Sequence, residues 1–434
     1  MRKYFWMIFI FSLLLVFGIE GMGQNDEPEK TCLDCHGDLM AGKNVHPPAE
    51  ESCDYCHEPT GKPHPGEEGK AFKMADELPA LCYMCHDENT KKYIHAPVEG
   101  GECLMCHSPH SSANPHLLLA NPVASLCFEC HDEEIAKHDN GHQPVSEGNC
   151  QSCHNPHQSK YRSLLKSAMP DLCFSCHEDV GKLMKTKNLH PPFEDDCRNC
   201  HQVHGSRDKY LLDQTISALC FDCHDDVKES VDSKPVVHGA VKIKETCVNC
   251  HSPHASPQEY FLLKENQELC LSCHNRTIKT ETKKISNMKQ ILSKSKVIHG
   301  AIELVGCSGC HFPHASVFPS LLQDAFPVGF YAPAQPDTFA LCFTCHDTDL
   351  IEKKTTKSAT GFRNGDQNLH YAHIHGNKGR SCKDCHKMHG SQYEHLIAGS
   401  VAFGNWEMPI KYQVTQNGGS CLTGCHARRE YKRN

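Results

Sequence analysis

The chain has 434 residues, a formal net charge of −9, and 30 cysteines beside 34 histidines. Cysteine at that density is near the threshold of a cysteine scaffold, and so much histidine with it points to metal or haem rather than to disulfides alone. The acidic balance and the lack of a basic patch exclude a nucleic-acid binder; the short cluster Arg428, Arg429, Lys432 and Arg433 reads as a solvated tail.

Met1 to Gly23 reads as a secretory signal. Arg2 and Lys3 charge its start, Phe5 to Ile19 is apolar apart from Ser12, and Gly21-Met22-Gly23 offers a small-x-small cleavage site. The run is short for a membrane span. No cysteine precedes Cys32, so no lipid attachment point lies near the cut. Cleavage and export are expected, to the periplasm, the outer membrane or the cell exterior.

The rest is an internal repeat. Residues 24–75 hold Cys32, Cys35 and His36, then Cys53, Cys56 and His57. Residues 76–120 repeat the doublet with Cys82, Cys85 and His86, then Cys103, Cys106 and His107. The third doublet, 121–166, has Cys127, Cys130 and His131 before Cys150, Cys153 and His154. In 167–213 stand Cys173, Cys176, His177, Cys197, Cys200 and His201. The fifth doublet, 214–264, carries Cys220, Cys223, His224, Cys247, Cys250 and His251. The sixth, 265–323, has Cys270, Cys273, His274, Cys307, Cys310 and His311. Residues 324–397 close the series with Cys342, Cys345, His346, Cys382, Cys385 and His386. A single site remains in 398–434, Cys421-Leu-Thr-Gly-Cys425-His426, with one extra residue between its thiols. Fifteen sites thus take all 30 cysteines, and none is left for a disulfide.

CxxCH is a kit for c-type haem. Two thiols attach a porphyrin as thioethers, and the adjoining histidine reaches the iron from one side. Zinc ribbons and disulfides also use paired cysteines, but neither needs a histidine after every second one. The cofactor expected is therefore about fifteen covalent haem c groups. In the last site the extra residue must bulge the turn to keep both thiols on the porphyrin edge.

A second histidine can close the other side of each iron. One series lies seven to nine residues before the second motif of each doublet: His46, His95, His142, His190, His238, His299 and His375. Another lies three residues past the second proximal histidine: His110, His157, His204, His254, His314 and His389. The first doublet has Thr60 at that place, and His64 four residues later is taken instead. His116, His138, His370, His373 and His395 remain. His395, nearest in sequence, is assigned to the fifteenth iron; His373 competes with His375; His116 and His138 read as surface side chains. His254 follows His251 by one helical turn, so the two leave the same side of a helix, and His254 is expected to serve a different haem.

The fold expected is mostly irregular with short α-helices, a haem-cored repeat array with little or no β-sheet. No sustained alternation predicts a sheet. About 27 residues per site leave room for helices of one to three turns. Leucines introduce most first motifs, as in LCFDCH, and H-x-x-H with a small residue follows most second ones, as in CHSPHAS. Insertions over 275–296, 326–339, 347–368 and 392–420 read as surface loops.

The doublet pattern from Cys32 to His389 resembles the doubled-CxxCH multihaem c-type cytochromes, and the chain is similar to an enlarged relative of the periplasmic decahaem conduits. The resemblance implies bis-histidine haems in a row, electron transport in anaerobic or extracellular respiration, and redox partner proteins such as other multihaem cytochromes or an outer-membrane porin. Two alternatives differ in class: an oxyanion reductase with one open haem, and a self-assembling, filament-forming cytochrome. No CxxCK site occurs, and nineteen further histidines stand against fifteen irons. An electron-transfer protein without catalytic residues is therefore the expectation.

Overall fold

The computed structural model describes residues 30–66, 71–243, 245–280 and 283–434; the expected secretory signal lies outside them. The local unit is a single turn at each CxxCH. First motifs sit on short helices such as Leu33–His36, Ala80–Tyr83 and Asp171–Phe174. Second motifs sit on 3-10 turns such as Cys53–Tyr55, Cys103–Met105 and Cys307–Gly309. A two-residue spacer closes one turn, so the histidine N–H reaches back to the first cysteine's carbonyl. Thirteen of the fourteen CxxCH motifs have that bond, at 2.9–3.1 Å.

The stretch after the second motif of doublets two to seven is equally regular. The chain reverses through two consecutive left-handed residues: His116-Leu117, Ser163-Leu164, Tyr210-Leu211, Tyr260-Phe261, Ser320-Leu321 and His395-Leu396, with φ from 53° to 62°. Left-handed backbone costs a non-glycine residue about 1–2 kcal/mol, so each pair must be held by its surroundings. The serine behind H-x-x-H is one holder. Ser112, Ser256, Ser316 and Ser391 donate to the carbonyls of Leu118, Leu262, Leu322 and Ile397 and accept the N–H two residues on. The small residue of the sequence pattern is thus a turn clasp.

Consecutive doublets are laced by two-residue antiparallel ladders. Asn44–Val45 pairs with Ser111–Ser112, and Tyr93–Ile94 with Gln158–Ser159. The same join recurs between Asn140–Gly141 and Gly205–Ser206, and between Asn188–Leu189 and Ala255–Ser256. Val236–Val237 pairs with Ala315–Ser316, and Val297–Ile298 with Gly390–Ser391. Each ladder brings the stretch before one second motif against the tail of the next doublet.

The chain divides into two compact units: residues up to His131 with Asn155–Leu164, and Asp132–His154 with Leu165–Asn434. The division runs through the stretch read as the third doublet, because 155–164 carries His157 back to the first unit by its ladder. Among the described residues no helix is long and apolar enough to cross a membrane.

The architecture is the expected one, short helices and turns with small sheets. The insertions read as loops, however, hold the two conventional apolar clusters. Ala332, Phe339, Ile351 and Ile374 form one. Ile397, Ala398, Val401, Met408 and Ile410 form the other. The second backs a four-stranded antiparallel sheet: β1 (Ser400–Phe403), β2 (Trp406–Thr415), β3 (Gly418–Thr423) and β4 (His426–Lys432), in that order. Met408, Ile410 and Tyr412 alternate with Glu407, Pro409 and Lys411 along β2, so one face is apolar.

Candidate haem c sites

Fourteen of the fifteen proximal histidines face a second histidine. The structure stacks His36 on His64, His57 on His110, His86 on His46 and His107 on His157. His131 meets His95, His154 meets His204, His177 meets His142 and His201 meets His254. His224 lies opposite His190, His251 opposite His314, and His274 opposite His238. His311 and His389, His346 and His299, and His386 and His370 complete the set. Ring centres are 5.8–6.4 Å apart, with planes tilted by 2–43°. Imidazole nitrogens bound at about 2 Å on opposite sides of one metal would put ring centres roughly 6 Å apart. With two thiols at each pair, the residues present fit a covalently attached haem.

The pairing is an exchange between neighbours. A histidine from the stretch before a second motif faces the first site of the next doublet, as His46 faces His86. In return, the H-x-x-H of that next doublet faces the second site of the earlier one, as His110 faces His57. The ladder lies between, and the backbone N–H of His46 donates to the carbonyl of His110 at 2.7 Å. His254 accordingly meets His201 of the preceding doublet. The ends have no outer neighbour. His64 turns back on His36, and His370 turns back on His386.

Two sequence assignments are placed differently. His375, assigned by spacing to the seventh doublet, stacks on Tyr371 at 4.0 Å and bonds the Ile351 carbonyl through Nε2 at 2.7 Å. Its place opposite His386 is taken by His370, because Asn368 caps a helix over Leu369–Ile374 and sets His370 on its first turn. His395, assigned to the fifteenth iron, is exposed and stacks on no proximal ring among the described residues. It is the left-handed residue whose carbonyl accepts from His386 Nδ1 at 2.8 Å. His116, Tyr210, Tyr260 and Ser320 do the same for His107, His201, His251 and His311. The position therefore uses a backbone oxygen and not a side chain. His138 lies against Gly205, where a Cβ would come within 2.6 Å of its ring. His373 stacks on Phe362 and holds the Leu369 carbonyl with Nδ1.

Electrostatics favour the ligand form. His46, His95, His142, His190 and His238 bring Nδ1 to within 2.9 Å of the carbonyls of Pro109, Pro156, Val203, Pro253 and Pro313. A carbonyl can only accept, so in the neutral ring the proton sits on Nδ1 and Nε2 presents its lone pair. Burial pushes His370 and His389 down to about 4. Burial also lowers His110, His157, His204, His254 and His314. At these buried rings neutral imidazole, the form that binds a metal, is thereby favoured.

The thiols adjoin in alternation. Within a doublet the two first cysteines hydrogen-bond each other, as in Cys32 with Cys53, Cys82 with Cys103, and Cys220 with Cys247. That bond from Cys220 pulls the Cys247 thiol down to about 6. Between doublets the second cysteines are neighbours: Cys106 and Cys130, Cys200 and Cys223, Cys310 and Cys345. Within each unit the attachment edges thus follow one another without a break in pattern.

The fifteenth site is built otherwise. Cys421 lies on β3, His426 opens β4, and Gly424 and Cys425 form the loop between paired Thr423 and His426. The extra residue of CxxxCH makes a hairpin where the other sites have a helical turn. Cys385 nonetheless adjoins Cys421 and Cys425, and burial pushes its thiol up to about 12. The second-cysteine neighbourhood of the other joints is kept.

The doubled CXXCH motif family matches residues 46–91, 95–136, 142–182, 190–229, 238–279 and 299–350, about three fifths of the chain. This chain belongs to that family of multihaem c-type cytochromes. No curated protein matches it. Its CXXCH motifs bind haem c covalently, several to the chain, and its role is in electron transfer. The family's repeat is phased differently from the cysteine doublets. Each matched segment opens on a histidine such as His46 or His95 and ends past the next first motif. It thus encloses one facing pair, His46 with His86 or His95 with His131, and leaves the return histidine to its neighbour.

Proposed function

We propose that this cytochrome carries fifteen haem c groups, fourteen of them bis-histidine, and works as an electron conduit in anaerobic or extracellular respiration. The observation that carries the reading is the set of fourteen facing histidine pairs. When bound, haem c supplies one-electron iron chemistry. The chain's own residues would hold the group: two thiols would attach it, and the CxxCH histidine and the exchanged histidine would both bind its iron. With both positions filled, these fourteen sites offer a substrate no place at the metal. The alternating thiols suit close packing of one site on the next within each unit. Export beyond the cytoplasm, where c-type haem is attached, and transfer to redox partner proteins belong to the same proposal. Potentiometric titration of the purified holoprotein with paramagnetic resonance tests it. Reduction spread over a broad potential range, with nearly all haems low spin, is expected. Rapid turnover of nitrite, hydroxylamine or tetrathionate would overturn the conduit in favour of a reductase.

A further inference from the structure

Cys421–His426 differs from the other fourteen sites on the side away from its histidine. No histidine ring stacks on His426 among the described residues, whereas every other proximal ring has one at 5.8–6.4 Å. His426 turns Nδ1 to the carbonyl of Ala427 at 2.7 Å, so Nε2 is its metal-facing nitrogen. The Met408 thioether lies 3.4 Å from Cys425 Sγ. Met408 thus lies beside a thiol that would attach the haem.

A cation stands beside the same thiol. The Arg380 Nη2 lies 3.9 Å from Cys425 Sγ. Its guanidinium rests over Phe330 at 5.1 Å and Tyr331 at 4.8 Å, a cation–π seat that fixes it. Its Nη1 is buried with no hydrogen-bond partner, and it makes no ion pair among the described residues. A buried, unpaired guanidinium nitrogen is rare because it forfeits its hydration. An anion would answer both the charge and the missing acceptor. The carboxylate nearby, Asp384, makes no ion pair with Arg380 and instead accepts the Ser381 N–H at 2.9 Å.

We propose that the fifteenth haem is an open site for a small anionic ligand, with Arg380 as the group that recognises its charge. The proposal rests on the fifteen-haem reading, and its test keeps the two apart. Intact mass of the purified holoprotein counts attached haems. Fourteen would overturn the attachment reading itself, and the proposal with it. With fifteen, the oxidised protein should show a single high-spin ferric signal. One azide per chain should convert that signal to low spin, and one carbon monoxide per chain should bind after reduction. Arg380→Gln should weaken azide about tenfold or more, as loss of a charge-assisted hydrogen bond does, and leave neutral carbon monoxide binding unchanged. Arg380→Lys should recover part of the azide affinity. An all-low-spin protein with fifteen haems would overturn the proposal, and a high-spin signal created by Met408→Leu or His373→Ala would name the ligand that fills the site. Equal weakening of azide and carbon monoxide in Arg380→Gln would reduce Arg380 to a structural residue.

Discussion

The repeat array and the C-terminal segment are held together by different means. Among described residues up to 320, the buried apolar side chains are Ala71, Ala124, Ala255, Leu292 and Ala315. Large apolar groups there stay open, Met84 at 64% and Tyr260 at 79% exposure. The segment beyond residue 325 buries Phe339, Ile351, Ile374, Val401, Met408 and Ile410 in its own clusters. An array of one-turn elements cannot bury its apolar surface on itself. Bound porphyrins would supply the missing area in the array, whereas the terminal segment supplies it from side chains.

The largest effect that separates them is loss of haem. A chain produced without haem attachment should fail to fold over the array and keep protection over β1–β4. Hydrogen exchange read by mass spectrometry checks this. Strong protection at Asn188–Leu189 or Val236–Val237 in haem-free chain would break the comparison, since those ladders would then stand without the group between them.

Next is a cavity in the side-chain core. Phe339 is fully buried against Ala332, Ile351 and Ile374. Phe339→Ala should cost about 3–5 kcal/mol, seen as earlier denaturant unfolding of the C-terminal segment. Haem content and spin state of the array should not change. A matching loss from an array position would show that both regions share one core.

Smaller still are the single-ligand changes. His254→Ala should turn the haem at Cys197–His201 high spin without loss of covalent haem. His370→Ala should do the same at Cys382–His386, while His375→Ala should leave every bis-histidine haem low spin. The reverse result for His370 and His375 would restore the assignment made from spacing.

That pair shows what was legible. The CxxCH and H-x-x-H spacings are local, because one turn must present two thiols and a histidine, and because the clasping serine and the ladder fix the return histidine. Twelve second-histidine positions read from that rhythm lie opposite proximal rings, and His64, taken outside it, lies opposite His36. The rhythm fails where it runs out of neighbours. A second site in the last doublet has no following H-x-x-H to face it, and His370 comes from the helix just past the 347–368 insertion, with no repeat register. The sheet was hidden for another reason. Pro409 sits inside β2 and argues against a strand. The signals that could have found it are the Met408, Ile410, Tyr412 alternation and the Asn417-Gly418 hairpin pair.

The smallest expected effect is His395→Ala, and its smallness is informative. Spacing made His395 a ligand; the fold makes it a carbonyl. Its φ of 55° places that carbonyl on His386 Nδ1, and the equivalent residues elsewhere are His116, Ser163, Tyr210, Tyr260 and Ser320. Side chains so different at one structural place share only the backbone. Alanine keeps the carbonyl and, like histidine, tolerates the left-handed region at about 1–2 kcal/mol. Spin state and potentials should therefore match the parent protein. His395→Pro should not be silent, since proline locks φ near about −65° and cannot adopt the turn. It should disturb the haem at Cys382–His386 by removing the acceptor that orients His386. Equal effects of alanine and proline would return a ligand role to the His395 imidazole.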